Sequence, residues 1–125
     1  MRKLSGGLAV IAVFVGLAAA PAPAAAEQSA DSFLAQFENG TEAERYIAKI
    51  QIQSIAAGLA WAIADMQDQG LPRLFCAPER MIITAEQHID ILRRFVDGEL
   101  SIMKDLPLGL VLLFALKETF PCDAA

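Results

Sequence analysis

The chain has 125 residues, of which 55% are hydrophobic, and its formal net charge is −5. Without the two basic residues near its start, Arg2 and Lys3, eight basic residues face 15 acidic ones, a net charge near −7. This acidic balance argues against nucleic acid or an anionic membrane as a partner, because both attract basic surfaces. It is compatible with a basic protein partner, and equally with charge that only keeps a small domain soluble.

The first 26 residues have the pattern of a cleaved export signal. A basic start precedes the apolar run Leu8–Ala20, and Ala24–Ala26 supplies the small residues that signal peptidase requires. We therefore expect cleavage near Ala26 and export to a bacterial periplasm. The mature domain, residues 27–125, is then expected to have no membrane contact. An uncleaved membrane anchor is the alternative interpretation.

Capping motifs and hydrophobic periodicity predict four helices in this domain and no pair of strands. Asp31 is the expected cap of the first helix, and Thr41–Glu44 and Thr84–Gln87 follow the capping-box pattern before the second and third. Pro107 suits the first turn of the last helix, where its missing N–H has no effect. The expected helices are Ser32–Glu38, Glu42–Gln69, a third helix that the capping box Thr84–Gln87 opens and that runs to about Val96, and Leu108–Phe120. A helical turn is expected in the connector Glu99–Asp105.

The second helix carries the uncharged stretch Ser54–Ala64, SIAAGLAWAIA, whose apolar residues surround the whole helix. Such a helix is buried in a core or a membrane, and this uncharged run is well short of the roughly 20 residues that a bilayer needs. We therefore predict a buried central helix, with Trp61 in the core and Tyr46, Ile47 and Ile50 on the same buried side. The last helix, also apolar all round, is expected to lie against it. The predicted fold is all-α, a small four-helix bundle-like domain.

The two cysteines, Cys76 and Cys122, are expected to form a disulfide, because an even pair in a small exported domain usually does. Closing a loop of this length contributes about 4 kcal/mol in the chain-entropy model. The bond would fasten the loop after the second helix to the end of the last helix. A catalytic Cys76 thiol with His88 as its base is the competing interpretation.

Candidates for chemistry are few. His88, the one histidine, is expected to be partly exposed on the third helix, and with two cysteines it supplies too few ligands for a structural zinc site. Asp65 and Asp68 lie three residues apart at the end of the second helix. The pair is interpreted either as a cation or partner site or as a solvated helix end. We therefore expect no enzyme activity, no cofactor and no metal.

Three motifs in order along the chain resemble the Tai/Rap immunity-protein family: Phe75–Pro78 (FCAP), Ile83–Gln87 (ITAEQ) and Ala115–Cys122 (ALKETFPC). The similarity covers about Asp31–Cys122. It implies a small exported helical protein, dimeric, that neutralises peptidoglycan-cleaving amidase effectors of type VI secretion systems by occluding their active sites.

The chain departs from that pattern in two places. Phe37 and Ile47 stand where the family has a second cysteine pair, so an apolar contact between them is expected instead, and Lys49-Ile50 replaces a Gly-Tyr pair. A divergent member is therefore expected to inhibit a different effector, or none.

The residues expected to face a partner are Asp65, Asp68, Gln69 and Arg73, beside loops that the disulfide would hold rigid. The alternative function is that of a stand-alone periplasmic helical protein, structural or stress-related, without a toxin partner.

Overall fold

A computed structural model describes residues 27–98 and 100–123, so the predicted export signal, residues 1–26, lies outside the described part of the chain. The described residues form helices and connecting loops, with no strand among them. The elements are, in chain order, α1 (Ala30–Asn39), α2 (Glu42–Asp68), α3 (Ala85–Asp97), a 3₁₀ turn (Ser101–Asp105) and α4 (Leu108–Thr119). The all-α prediction is confirmed.

Side-chain caps set where the helices begin. The Thr41 hydroxyl accepts the Glu44 N–H at 3.2 Å, and the Glu44 carboxylate accepts the Thr41 N–H at 2.6 Å. The same reciprocal pair forms at the start of α3, so both predicted capping boxes are present. Helix α1 begins two residues earlier than predicted, because Ser29 caps it in place of Asp31.

The end of α2 is a Schellman turn. Gly70 has a φ of 71°, a left-handed conformation that glycine adopts without steric cost. The Leu71 N–H donates to the Met66 carbonyl at 2.8 Å, and the Gly70 N–H donates to the Gln67 carbonyl at 3.0 Å. Two otherwise unpaired carbonyls are thereby satisfied, and the chain turns sharply into the following loop.

The core lies mainly between α1, α3 and α4. Helix α3 places its apolar residues on one face, and α4 packs chiefly against that face and against α1. Helix α4 also contacts α2, as expected, although this contact is smaller than its contacts with α3 and α1. The largest fully buried side chains are Phe33, Ile52, Ile89, Leu92, Leu108, Val111, Leu112 and Leu116.

Helix α2 is not the buried centre of the bundle, and this prediction is wrong. Every residue of Ser54–Ala64 is half-buried or exposed, Trp61 is 77% exposed, and only Ala48 and Ile52 of the helix are buried. With 27 residues, α2 is about 40 Å long. The other three helices have 10, 13 and 12 residues, about 15–20 Å each. They are too short to cover more than part of one face.

The same difference in helix length leaves apolar residues in the first half of α2 exposed. Tyr46, Ile47 and Ile50 are all more than half exposed, contrary to the prediction that they continue the buried side. Phe37 is half-buried and packs against the core, whereas Ile47 is 58% exposed. The expected inward-facing pair at these two positions is therefore wrong.

Candidate partner-binding surface

The loop after α2 is fastened to the end of α4. Cys76 and Cys122 form the predicted disulfide, with their Cα atoms 4.9 Å apart and a sequence separation of 46. The Cys76 N–H also donates to the Phe120 carbonyl at 2.8 Å. A covalent bond and a backbone hydrogen bond thus hold one residue of this loop in place. With Cys76 in a disulfide, the alternative of a catalytic Cys76 thiol is excluded.

A groove runs between the fastened loop and the second half of α2. Its volume is about 410 Å³. Helix α2 contributes one wall and the loop contributes the other, and the lining residues are Ala60, Ile63, Gln67, Arg73, Phe75, Ala77, Pro78 and Glu79. Apolar side chains with a few polar and charged groups at the edge are the composition of a protein-binding surface.

Of the four residues predicted to face a partner, only Arg73 lines this groove, and the other three lie at the end of α2 and just after it. Asp65, Asp68 and Gln69 are exposed, and the Gln69 side-chain amide donates to the Asp65 carboxylate at 2.7 Å. Arg73 is half-buried and lines the groove itself. The structure brings Asp65 and Gln69 into contact, and among the described residues no ion pair joins Arg73 to either carboxylate.

The outward face of α2 is the surface that sequence reasoning missed, because its residues were assigned to the core. Two further grooves border this face. One, of about 390 Å³, is lined by Lys49, Ile50, Gln53, Ser54, Ala57 and Ala85. The other, of about 490 Å³, lies between α2 and the Phe75–Ile83 segment. The spacing of apolar residues on two opposite sides of one helix was the available indication of a second surface.

Among the described residues, α2 is long and apolar enough to cross a membrane, by length and composition alone. Its most apolar 18-residue window has a mean hydropathy of 1.3, and 11% of that window is buried. A single such helix is weak evidence for a membrane span, because core helices of soluble proteins meet the same criteria.

His88 lies in the core, contrary to the expectation of partial exposure. It is 6% exposed, and its Nδ1 atom has no hydrogen-bond partner. Burial lowers the pKa of the imidazole below its ordinary value, and the backbone of Thr84 opposes this shift only in part. Helix α3 turns this position inward beside Ile89 and Leu92, so His88 is a neutral member of the core at pH 7.

A cleft of about 580 Å³ lies beside α3 and the end of α4. Arg93 lines it and is bound to Glu38 at 3.0 Å and to Asp90 at 2.8 Å. The hydrogen bond with Glu38 is the main cause that raises the pKa of Arg93. Because two carboxylates already neutralise this guanidinium, the cleft has no free charge at Arg93 for an anionic ligand. Residues 27–98 and 100–123 contain no group of three metal-ligating side chains.

Comparisons with protein-family models, with curated proteins and with solved structures give no match for this chain.

Proposed function

We propose that this chain is a periplasmic immunity protein that binds and occludes a peptidoglycan amidase effector of a type VI secretion system. The observation that carries the proposal is the disulfide-fastened loop beside an open groove on α2. The resemblance of its three motifs to the Tai/Rap family gives the proposal its partner class. An inhibitor that works by occlusion needs shape and rigidity, and no chemistry of its own.

The fastened loop supports tight binding for an entropic reason. A mobile loop loses about 0.5–1.5 kcal/mol for each side chain that docking immobilises, and ordering its backbone adds to this loss. Cys76 is already held by a disulfide and by the Phe120 carbonyl. Much of the ordering is therefore complete before the partner arrives, and more of the contact energy remains as affinity.

The end of α2, where Gln67 lines the groove, carries exposed charged and polar residues. Asp65, Asp68 and Gln69 are exposed there, and the chain as a whole is acidic, with a net charge of −5. A partner with a basic rim around its cleft fits this end of α2, and long-range attraction would speed its association. We place these residues and Arg73 at the rim of the interface.

The test begins by capturing binding proteins from periplasmic extracts with the purified chain. A captured amidase is then purified, and its cleavage of peptidoglycan is measured against increasing amounts of the chain. The proposal expects loss of cleavage at a one-to-one ratio. No amidase among the captured proteins of several strains would instead favour a stand-alone helical protein.

Charge reversal at the rim locates the interface. The double variant Asp65→Lys/Asp68→Lys is expected to weaken the complex by about tenfold or more, since it places like charges against a basic rim. The matched control is Asp97→Lys/Asp105→Lys, which makes the same charge change at exposed positions outside the groove. Equal affinity of both variants for the amidase would show that the interface does not include the end of α2.

A further inference from the structure

The groove of about 490 Å³ between α2 and the Phe75–Ile83 segment reaches the hydrophobic core. Two of its lining residues belong to the buried interior: Leu116 is 1% exposed and His88 is 6% exposed. Its volume lies within the roughly 300–1,000 Å³ that is typical of small-molecule sites. A groove that reaches core residues can surround a ligand on several sides, which a shallow depression on the surface cannot do.

Small side chains on α2 leave this groove open. Ala56, Ala57 and Ala60 line its α2 side, where larger side chains would occupy the space. Gln53 lines the same side, and its side-chain amide donates to the Ile83 carbonyl of the facing segment at 3.5 Å. From Gln53 to Ala60 the helix rises by about 10 Å. This length suits a medium-length alkyl chain or a pair of aromatic rings.

The facing side of the groove is apolar. Phe75, Met81 and Ile83 supply large apolar side chains. Among the described residues, no aspartate, glutamate, lysine or arginine lines the groove. An ionised ligand would lose its hydration there without gaining a partner of opposite charge. The lining therefore favours a neutral and mainly apolar ligand.

His88 gives the groove a polar group with an unused hydrogen-bonding atom. Its Nδ1 is buried, and no group of the described residues forms a hydrogen bond with it. Burial lowers the pKa of the ring more than the Thr84 backbone raises it, so the imidazole is neutral at pH 7. A neutral imidazole has one N–H donor and one acceptor nitrogen. Since an unpaired polar atom in the core costs stability, a ligand hydroxyl that reached the ring would remove that cost.

We propose that this groove binds a small neutral molecule that is mainly apolar and carries one hydroxyl or N–H group, which forms a hydrogen bond with His88. A medium-chain alcohol has this chemistry. The site differs from the groove assigned to the protein partner, although the two share Ala60, Phe75 and Ala77. It does not rest on the proposed function, because the purified chain alone is expected to bind the ligand.

Binding is measured with N-phenyl-1-naphthylamine, a neutral probe that carries a single N–H group and fluoresces more strongly in apolar surroundings. The wild-type chain is expected to enhance this emission, and octanol is expected to displace the probe. Octanoate at neutral pH is expected to require a concentration at least about tenfold higher, because its carboxylate finds no opposite charge in the groove. No enhancement by the wild-type chain, or octanoate as effective as octanol, would overturn the proposal.

Two leucine substitutions on α2 locate the bound probe. Ala57→Leu places a larger side chain in the groove and is expected to weaken binding by about tenfold or more. Ala57 also lines the neighbouring groove of about 390 Å³, so the matched control is Ser54→Leu, because Ser54 lines that groove and not this one. Both positions are exposed, so neither substitution disturbs the core. An equal loss of binding in both variants would place the probe on the outward face of α2 and reject the site.

The hydrogen bond with His88 is tested in two ways. His88→Leu keeps an apolar side chain of similar size and is expected to weaken octanol binding by about three- to tenfold, the effect of losing one hydrogen bond. In the wild-type chain, octanol is expected to shift the ¹⁵N resonances of the imidazole, which are assigned directly because the chain has one histidine. Imidazole resonances that stay unchanged while octanol displaces the probe would overturn the proposed contact.

Discussion

His88 combines burial in an apolar core with a ring nitrogen that has no hydrogen-bond partner. Burial favours the neutral imidazole, so the pKa of folded His88 lies below its ordinary value of 6.5. The unfolded chain therefore binds more protons than the folded chain as the pH falls from 6.5 toward the folded pKa. The free energy of unfolding should be fully maintained above this window and should decrease within it.

The prediction is measured by urea unfolding at several pH values between neutral and pH of about 5.5. The wild-type chain is expected to lose stability on acidification, with a slope of at most about 1.4 kcal/mol per pH unit for one group. His88→Leu is expected to flatten that slope, whatever its effect on stability at pH 7. The pKa of Glu86 is lowered below its ordinary value of 4.5 by its hydrogen bond with Lys49, so its effect begins at a more acidic pH. An unchanged slope in the variant would contradict the assignment to His88.

Gly40 and Gly58 offer a matched pair of substitutions with opposite expected signs. A Cβ at Gly40 would lie 2.3 Å from the Gln36 carbonyl oxygen, so Gly40→Ala forces the backbone at the end of α1 to shift. We expect a loss of about 1–3 kcal/mol in the free energy of unfolding. A Cβ at Gly58 meets nothing within 4 Å, and alanine in a helix interior is better than glycine by about 0.5–1 kcal/mol.

Chemical denaturation of the two variants checks this pair under one set of conditions. Gly40→Ala should unfold at lower denaturant than the wild type and Gly58→Ala at higher denaturant. The same direction of change in both variants would contradict the different environments of the two glycines.

At the scale of elements, the ends of the helices follow from local chemistry. Thr41 with Glu44 and Thr84 with Gln87 were recognisable as capping boxes, because both partners of each hydrogen bond lie within four residues. The cap predicted for α1, Asp31, was wrong, because Ser29 has an equally suitable side chain two residues earlier and accepts the Ser32 N–H. Local rules therefore place helix ends to within a few residues.

The disulfide is an element-scale constraint with a measurable effect on stability. The double variant Cys76→Ser/Cys122→Ser is expected to lose about 4 kcal/mol in the free energy of unfolding by the chain-entropy estimate for a closed loop of this length. Reduction of the wild-type chain should give a similar loss. A reductant should leave the variant unchanged, which is the control for nonspecific effects. Equal stability of the oxidised and reduced wild-type chain would contradict a stabilising role.

At the scale of the whole molecule, one helix that is too long for its bundle determines the surface. Helix α2 has 27 residues and none of the other helices exceeds 13. Much of its apolar surface therefore lies outside the core, on one flank beside the fastened loop and on the outward face of α2. The proposed partner groove is one consequence of this mismatch in length.

The division between core and surface predicts different costs for two aromatic truncations. Phe33 is fully buried, so Phe33→Ala is expected to lose about 3–5 kcal/mol in the free energy of unfolding. Trp61 is 77% exposed, so Trp61→Ala should change the stability of the monomer by less than about 0.5 kcal/mol. Urea unfolding of the two variants and of the wild-type chain gives both values. A loss of several kcal/mol in the free energy of unfolding for Trp61→Ala would contradict the exposed position of Trp61.

The amino-acid sequence by itself determined the helical class, the capping boxes and the cysteine pair. Capping boxes depend on contacts between near neighbours, and with only two cysteines one pairing is available. The sequence did not determine which apolar residues are buried. The apolar residues of Ser54–Ala64 lie on all sides of α2, so their pattern is the same for a buried and for an exposed helix. Their burial depends on how far the shorter helices extend along α2. Only the tertiary structure decided that Trp61 faces outward and His88 faces inward, because burial is fixed by the packing of elements distant in the chain.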